Sequence, residues 1–73
     1  MRVVIAGGHG KSAVLTERLL ADRGDSVAGF IRNPDHAADL EAAGAEPIVV
    51  DLESSSADEV AGHLTGADAV IFA

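Results

Sequence analysis

The residues best suited to chemistry stand in one glycine-rich stretch, Gly-Gly-His-Gly-Lys-Ser at positions 7–12. The stretch directly follows a short apolar run. Glycines in such a place let backbone amides approach a phosphate without an intervening side chain. Two kinds of phosphate site contain such a stretch. One is the loop of nucleoside triphosphatases, which ends in Gly-Lys-Ser/Thr, and the other is the first turn of a dinucleotide-binding fold.

The spacing of the glycines separates these two interpretations. A triphosphate loop requires a glycine at the position of Ile5, ahead of Gly10. The pattern G-x-G-x-x-A instead fits Gly8, Gly10 and Ala13. In a dinucleotide-binding turn the first glycine permits a tight bend, the second admits the pyrophosphate, and a small third residue lets the helix pack closely. The spacing therefore favours a dinucleotide, with a triphosphate binder as the alternative.

Three polar residues share the stretch with the glycines. Lys11 is either a phosphate partner or a solvated cation of the first helical turn, and Ser12 either offers its hydroxyl to a phosphate or supports that turn. His9 is expected to fill the turn beside the cofactor rather than to act in catalysis. His36 and His63 fall in two separate helices, so the three histidines predict no metal site.

The residues that follow the second and third apolar runs report on the adenosine half of the ligand. In NAD-binding proteins an acidic residue about twenty positions beyond the glycines accepts hydrogen bonds from the ribose. Here Arg32 and Asn33 stand at that place. A guanidinium matches a 2′-phosphate instead, so the sequence favours NADP over NAD, with a solvated Arg32 as the alternative. Asp51, followed by Leu52, either accepts the amino group of adenine or caps its own loop.

Four nearly continuous apolar runs predict strands that are covered on both faces of a parallel sheet. Helical patterns separate them, and each helix is followed by a glycine. The order βαβαβαβ predicts an α/β fold of the Rossmann type, a doubly wound parallel sheet with strand order 3-2-1-4. The first two helices then cover one face and the third helix covers the other. The strands are expected at 3–6, 26–31, 47–50 and 69–72, and the helices at 13–23, 35–43 and 56–64.

Capping residues and apolar periodicity refine the predicted starts and buried faces of the helices. Asn33 precedes Pro34 as an N-cap precedes a proline in the first turn, and Ser56 with Glu59 fits a capping box. Periodicity in the first helix predicts an apolar face, with Glu17 among the polar residues elsewhere on the helix. The members of that face are Val14, Leu15, Leu19 and Leu20.

Length and composition exclude several functions. The chain has 73 residues, enough for one domain at most, and no cysteine for a disulfide, a thiolate metal site or thiol catalysis. A net charge of −7 disfavours nucleic acids and anionic membranes as partners. No apolar run reaches the roughly 20 residues that span a membrane. We therefore expect a cytoplasmic protein.

The segments MRVVIAGGHGKSA, GFIRNP, VVDL and GADAVIFA occur in this order and together extend over the whole chain. They resemble the start of an atypical or extended short-chain dehydrogenase/reductase of the NAD(P)-binding epimerase/reductase-like group. In that family the first loop follows G-x-x-G-x-x-G/A, which here falls on Gly7, Gly10 and Ala13. The family usually has an aliphatic residue where this chain has Ser12.

The resemblance implies where the rest of the cofactor lies. Arg32 would meet the phosphate on the adenosine ribose, Asp51 and Leu52 would flank adenine, and Phe72 and Ala73 would approach the cofactor at the end of the fourth strand. Family members continue with further strands and a Tyr-x-x-x-Lys pair that performs proton transfer. This chain has no tyrosine, so it does not itself contain that pair.

Residues 1–73 are therefore expected to form the N-terminal part of a dinucleotide-binding Rossmann domain. The expected function is NAD(P)(H) binding for an oxidoreductase or epimerase, with a non-catalytic NAD(P) sensor and a triphosphate binder as alternatives. The fourth strand would have an open apolar edge, because no fifth strand stands beside it. We expect that edge to be covered by a C-terminal half or by self-association.

Overall fold

The computed structural model describes residues 1–7, 9–51 and 53–72, and Gly8, Leu52 and Ala73 lie outside the described residues. Strands and helices alternate along the chain, in the predicted order. The elements are β1 (Arg2–Ala6), α1 (Lys11–Asp22), β2 (Ser26–Ile31), a 3₁₀ turn (Pro34–His36), α2 (Ala37–Ala42), β3 (Glu46–Val49), α3 (Ala57–Leu64) and β4 (Ala69–Phe72).

The four strands form one parallel sheet in the order β3-β2-β1-β4, which confirms the predicted Rossmann-like topology. The register places Ala6 of β1 opposite Phe30 of β2 on one side and Phe72 of β4 on the other. The carboxyl ends of these three strands therefore meet at one edge of the sheet. In open parallel sheets ligands bind outside this edge, where the strand order reverses.

Each face of the sheet has its own apolar cluster, as expected for strands covered on both sides. The first cluster packs the sheet against α1 and α2 and includes Ile5, Ala13 and Leu40. The second packs it against α3 and includes Val4 and Phe30, with Val60 and Leu64 of α3 partly buried against it. The predicted distribution of helices, two on one face and one on the other, is confirmed.

The prediction for the buried face of α1 was right for Leu20 but wrong for Leu15, Leu19 and Glu17. Leu15 and Leu19 are 59% and 58% exposed, whereas Glu17 is fully buried. Ala13 packs against the sheet, and residues four and seven positions later in a helix lie on the same face. Glu17 and Leu20 therefore turn towards the core with Ala13. The close approach of helix and strand at Ala13 decided which face is buried.

The second helical segment begins as a 3₁₀ turn rather than as the continuous helix predicted for 35–43. The carboxamide oxygen of Asn33 accepts a hydrogen bond from the amide of Asp35 at 2.9 Å, and Pro34 opens the turn, so the predicted cap is confirmed. In α3 the hydroxyl of Ser56 accepts from the amide of Glu59 at 3.1 Å, which confirms that end of the expected capping box.

The glycines predicted to end the helices adopt the left-handed conformation that this role requires. After α1, the amide of Asp25 donates to the carbonyl of Leu20 and the amide of Gly24 to that of Ala21, the paired bonds of a Schellman motif. Gly44 and Ala45 repeat this arrangement after α2. The φ angles are 89° at Gly24, 88° at Gly44 and 83° at Gly66.

Candidate functional site

A cleft of about 680 Å³ opens at the carboxyl ends of β1 and β2. It borders a recess of about 200 Å³ at the ends of β2 and β3, because both share Gly7 and the residues that end β2. The walls of the cleft are Gly7, His9, Gly10, Phe30, Ile31, Arg32, Asn33, Pro34 and His36. The recess adds Val50, Asp51 and Glu53.

The glycine-rich loop forms one end of the cleft, and two of its glycines have different reasons to be glycine. Gly7 has a φ of 82°, which a residue with a side chain adopts only with strain. Gly10 has an ordinary extended conformation with φ −61° and ψ 155°. A Cβ added to Gly10 would meet no atom of the other described residues within 4 Å. The fold itself therefore does not require a glycine at position 10, and the open space beside it suits a ligand.

The N-terminus of α1 starts at this loop without a protein cap. Gly10 is its N-cap residue, no side chain of the described residues caps this end, and the first turn contains no acidic residue. The first amides of a helix have no partner within the helix, and its N-terminus carries partial positive charge. This end of α1 can therefore bind an anion such as a pyrophosphate.

Arg32 is exposed and lines both the cleft and the recess. In the part of the chain that the structure describes it forms no ion pair. Asn33 lies beside it in the cleft, although its carboxamide oxygen is already engaged in capping the 3₁₀ turn. Arg32 is thus a cation at the end of β2, where the ribose of a dinucleotide lies in this fold.

Asp51 lies in the recess and also caps its own loop, so both roles considered for it are compatible. One carboxylate oxygen accepts the amide of Glu53 at 3.0 Å, and its backbone carbonyl accepts the amides of Ser54 and Ser55. The other carboxylate oxygen has no hydrogen bond with any described residue. That oxygen can accept an amino group that enters the recess.

The remaining candidates of the loop and of β4 lie outside the large cleft. Lys11 lines a groove between α1 and α2 together with Arg18 and Asp39. Ser12 lines a different groove, of about 260 Å³, with Phe72, whose side chain is 82% exposed at the end of β4. The structure therefore brings Gly7, His9, Gly10, Arg32 and Asn33 into one cleft, and it places Asp51 in the adjoining recess.

His9 joins the loop to the segment after β2, a contact that the sequence alone does not predict. Its Nε2 lies 2.8 Å from a carboxylate oxygen of Asp39 in α2. Its ring stacks on that of His36, with centroids 3.6 Å apart and an angle of 9° between the planes. His9 therefore makes two specific contacts outside its own loop, one with α2 and one with the 3₁₀ turn.

Glu17 is the second feature that the sequence analysis missed. Its side chain is fully buried, and neither carboxylate oxygen has a hydrogen-bond partner among the described residues. Burial raises the pKa of this carboxyl to about 7, while the nearby charge of His9 acts in the opposite direction. The sequence signal for the burial of Glu17 is its spacing from Ala13. Position 17 lies about one helical turn beyond Ala13 and therefore on the same face of α1.

The described residues contain neither a metal-binding cluster nor a membrane-spanning helix. No group of three or more histidine, aspartate and glutamate side chains there could hold a metal ion. Among the same residues, no helix has the length and apolar character needed to cross a bilayer.

Comparison with known proteins identifies the ligand class. Residues 7–73 match the family described as NAD(P)H-binding. The chain belongs to this family. YhfK of Bacillus subtilis (strain 168), named an uncharacterized sugar epimerase, is 37% identical over 73 residues, which are 99% of this chain and 34% of that protein. The chain thus spans about a third of the length of this relative.

Solved structures of other proteins agree with this assignment. A Bacillus halodurans protein proposed to be an NAD-dependent epimerase/dehydratase has a TM-score of 0.82 and 30% identity, over 100% of this chain and 33% of that one. The UDP-glucose 4-epimerase of Bifidobacterium longum, solved with NAD+ and UDP, has a TM-score of 0.74 and 20% identity, over 99% and 24% of the two chains. The second likeness concerns the fold alone. This NAD(P)H-binding chain is thus similar to epimerases.

Proposed function

We propose that the chain binds NADP(H) in the cleft at the carboxyl ends of β1 and β2. The pyrophosphate lies at the N-terminus of α1, beside Gly10, and the 2′-phosphate of the adenosine ribose pairs with Arg32. Membership of the NAD(P)H-binding family supports the dinucleotide. The exposed guanidinium at the end of β2 supports the choice of NADP over NAD, because it offers two parallel donors to a phosphate and no acceptor to a ribose hydroxyl.

Gly10 is the observation that carries this proposal. Its backbone angles are open to other residues, and a Cβ would meet no atom of the other described residues. The protein fold therefore does not by itself require a glycine at position 10. A phosphate group that approaches the uncapped N-terminus of α1 does explain it, because a side chain at this position would occupy the same space.

The other predicted residues complete the path of the cofactor. Adenine occupies the recess, where the carboxylate of Asp51 accepts its amino group. Gly7, His9 and Asn33 enclose the phosphates and ribose. The nicotinamide half extends towards β4, where Ser12 and Phe72 line the neighbouring groove and Ala73 follows. Lys11 lines the groove on the α2 side. Its charge therefore attracts the phosphates from a distance, without direct contact.

We further propose that residues 1–73 form the N-terminal part of a larger dinucleotide-binding domain. The relatives are about three to four times as long as the matched segment, and the names of the two that are at least 30% identical describe epimerases. The activity of the whole protein would be that of an NAD(P)-dependent epimerase or oxidoreductase of the short-chain dehydrogenase/reductase type. A Tyr-x-x-x-Lys pair in the remaining polypeptide distinguishes such an enzyme from a non-catalytic NAD(P) sensor.

Titration calorimetry of the chain with NADPH, NADH and ATP-Mg tests the ligand. We expect NADPH to bind most tightly, NADH more weakly, and ATP-Mg most weakly. The triphosphate alternative requires a lysine that reaches the terminal phosphates, whereas Lys11 lines the groove beside α2. Tighter binding of ATP-Mg than of either dinucleotide would overturn the proposal.

A further inference from the structure

The glycine-rich loop has a single side chain through which the protein can hold it. Of the four residues between β1 and α1, three are glycines and the fourth is His9. Glycine loses more conformational freedom on ordering than any other residue, so such a loop is costly to fix in one conformation. A contact that orders the loop before the ligand arrives lowers the cost of binding.

His9 makes such a contact with the segment that follows β2. Its ring lies flat on His36, and its Nε2 lies 2.8 Å from Asp39. The side chains of His9 and Asp39 are 37% and 64% exposed, so the pair is partly solvated. His9 and His36 also line the cleft, while Asp39 faces the other groove. The imidazole of His9 therefore stands between the ligand space and the carboxylate that holds it.

We propose that His9 is a positioning residue that holds the glycine loop for the cofactor through a proton-dependent ion pair with Asp39. The inference rests on the proposed function, because it assigns a role within the same cofactor site. An imidazolium donates a charge-assisted hydrogen bond to a carboxylate, and a neutral imidazole donates a weaker one. Since histidine changes charge between pH 5 and 8, the loop is held more firmly at the acidic end of this range.

The groups that face His9 come from three elements. Asp39 of α2 favours the imidazolium through the ion pair. Glu17, buried in α1, favours it only above its raised pKa of about 7, where its carboxylate is ionised. His36 in the 3₁₀ turn and the cations Lys11 and Arg18 of α1 oppose it. Two imidazolium rings stacked in this way would repel each other.

Binding of NADH at pH 6 and pH 8 tests the ion pair. NADH is the probe because it lacks the 2′-phosphate, a group that itself titrates near pH 6. We expect about 1.4-fold to fivefold tighter binding at pH 6, the range given by a partly exposed ion pair. Asp39→Asn and His9→Gln keep a hydrogen-bonding side chain but remove the ion pair. Whatever their affinity at pH 8, both variants should show no tightening of NADH binding at pH 6.

Two control variants and one discriminating outcome separate positioning by His9 from direct attraction of the phosphates. Glu41→Gln removes a carboxylate from the same helix and should keep the pH dependence. His36→Phe keeps a stacking ring without a second proton and should keep it as well. If His9 acted by direct attraction of its charge to the phosphates, Asp39→Asn would retain the tightening at pH 6, and that result would overturn the proposal.

A double-mutant cycle, in which the free energy of unfolding is measured, tests the ion pair between His9 and Asp39 without any ligand. His9→Ala and Asp39→Ala should show a favourable coupling at pH 6 that is reduced at pH 8. Additive effects at pH 6 would overturn the ion pair even if NADH binds. A native chain that binds neither dinucleotide contradicts the proposed function, whereas the cycle still tests the contact between His9 and Asp39.

Discussion

A Cβ atom placed on Gly44 would lie 2.8 Å from the Cβ of Ala21. The turn that follows α2 therefore crosses α1 at a distance that only a glycine permits. Gly24 has almost the same backbone angle, with φ 89° against 88°, but a Cβ there would meet no atom within 4 Å. The two glycines are thus a matched pair that differs in packing and not in conformation.

We expect Gly44→Ala to be more destabilising than Gly24→Ala. Both variants place a side chain in the left-handed conformation, which costs about 1–2 kcal/mol. Gly44→Ala adds an overpacked contact with Ala21, worth a further ~1–3 kcal/mol. Urea unfolding of both variants measures the difference. Ala21→Gly should recover part of the loss in the Gly44→Ala background, and equal stabilities of the two alanine variants would contradict the packing argument.

Gly10 and Gly62 form a second matched pair, since a Cβ on either meets no atom of the other described residues within 4 Å. Gly10→Val should weaken NADPH binding by more than about tenfold, because its side chain occupies the space proposed for the pyrophosphate. Gly62→Ala, in α3, should leave binding unchanged and stabilise its helix by about 1 kcal/mol. Calorimetric titration gives both affinities, with thermal melts to verify folding. If Gly10→Val bound NADPH with native affinity, the loop would be a turn with no role in binding the pyrophosphate.

Arg32 is the residue on which cofactor selection depends in the proposed complex. Arg32→Asp replaces a phosphate partner with an acceptor for ribose hydroxyls, so NADPH affinity should fall by roughly one to two powers of ten. NADH affinity should be maintained or should rise. The quantity to measure is the ratio of the two dissociation constants. An unchanged ratio would mean that the guanidinium is only a solvated cation at the end of β2.

The edge of the sheet at β4 predicts association. Val70, Ile71 and Phe72 are 37%, 38% and 82% exposed, and unpaired apolar strand edges favour pairing with another chain. Sedimentation of the 73-residue chain should show self-association, or the chain should melt at low temperature. Val70→Lys should reduce association, while Val49→Lys on the opposite edge should not. A monomer that melts cooperatively above ~60 °C would contradict this expectation.

The sheet could be predicted from sequence because its signals are local and repeated. The apolar runs gave strands within one residue of those observed, and the glycines after each helix marked the turns that return the chain to the sheet. Right-handed crossovers then left few topologies open. The glycine spacing pointed to a dinucleotide, and the family match agrees.

Contacts between distant segments were harder to predict. Nothing local to Asp39 indicates that it meets His9, because the contact depends on how the 3₁₀ turn ahead of α2 orients the helix. The buried face of α1 was misassigned for a related reason. Counting apolar residues favoured Leu15 and Leu19, whereas the small size of Ala13 determines which side of the helix approaches the sheet.

The burial of Glu17 makes the stability of the chain depend on pH. Its pKa is raised from 4.5 to about 7 by burial. Between these values the folded chain holds a proton that the unfolded chain has released. The free energy of unfolding contributed by Glu17 is therefore fully retained below pH 4.5, falls as the pH rises to 7, and levels off above it. At 1.4 kcal/mol per pKa unit, the loss amounts to at most about 3.5 kcal/mol.

Glu17→Leu should remove this dependence, because leucine places an apolar side chain between Ala13 and Leu20 on the buried face of α1. The stability of the variant relative to the native chain should increase between pH 5 and pH 8, which urea unfolding at both pH values measures. Glu41→Gln, on the exposed side of α2, should leave the native pH dependence intact. If the difference in stability between the native chain and Glu17→Leu is the same at both pH values, Glu17 keeps its charge in the core and its pKa is not raised by burial.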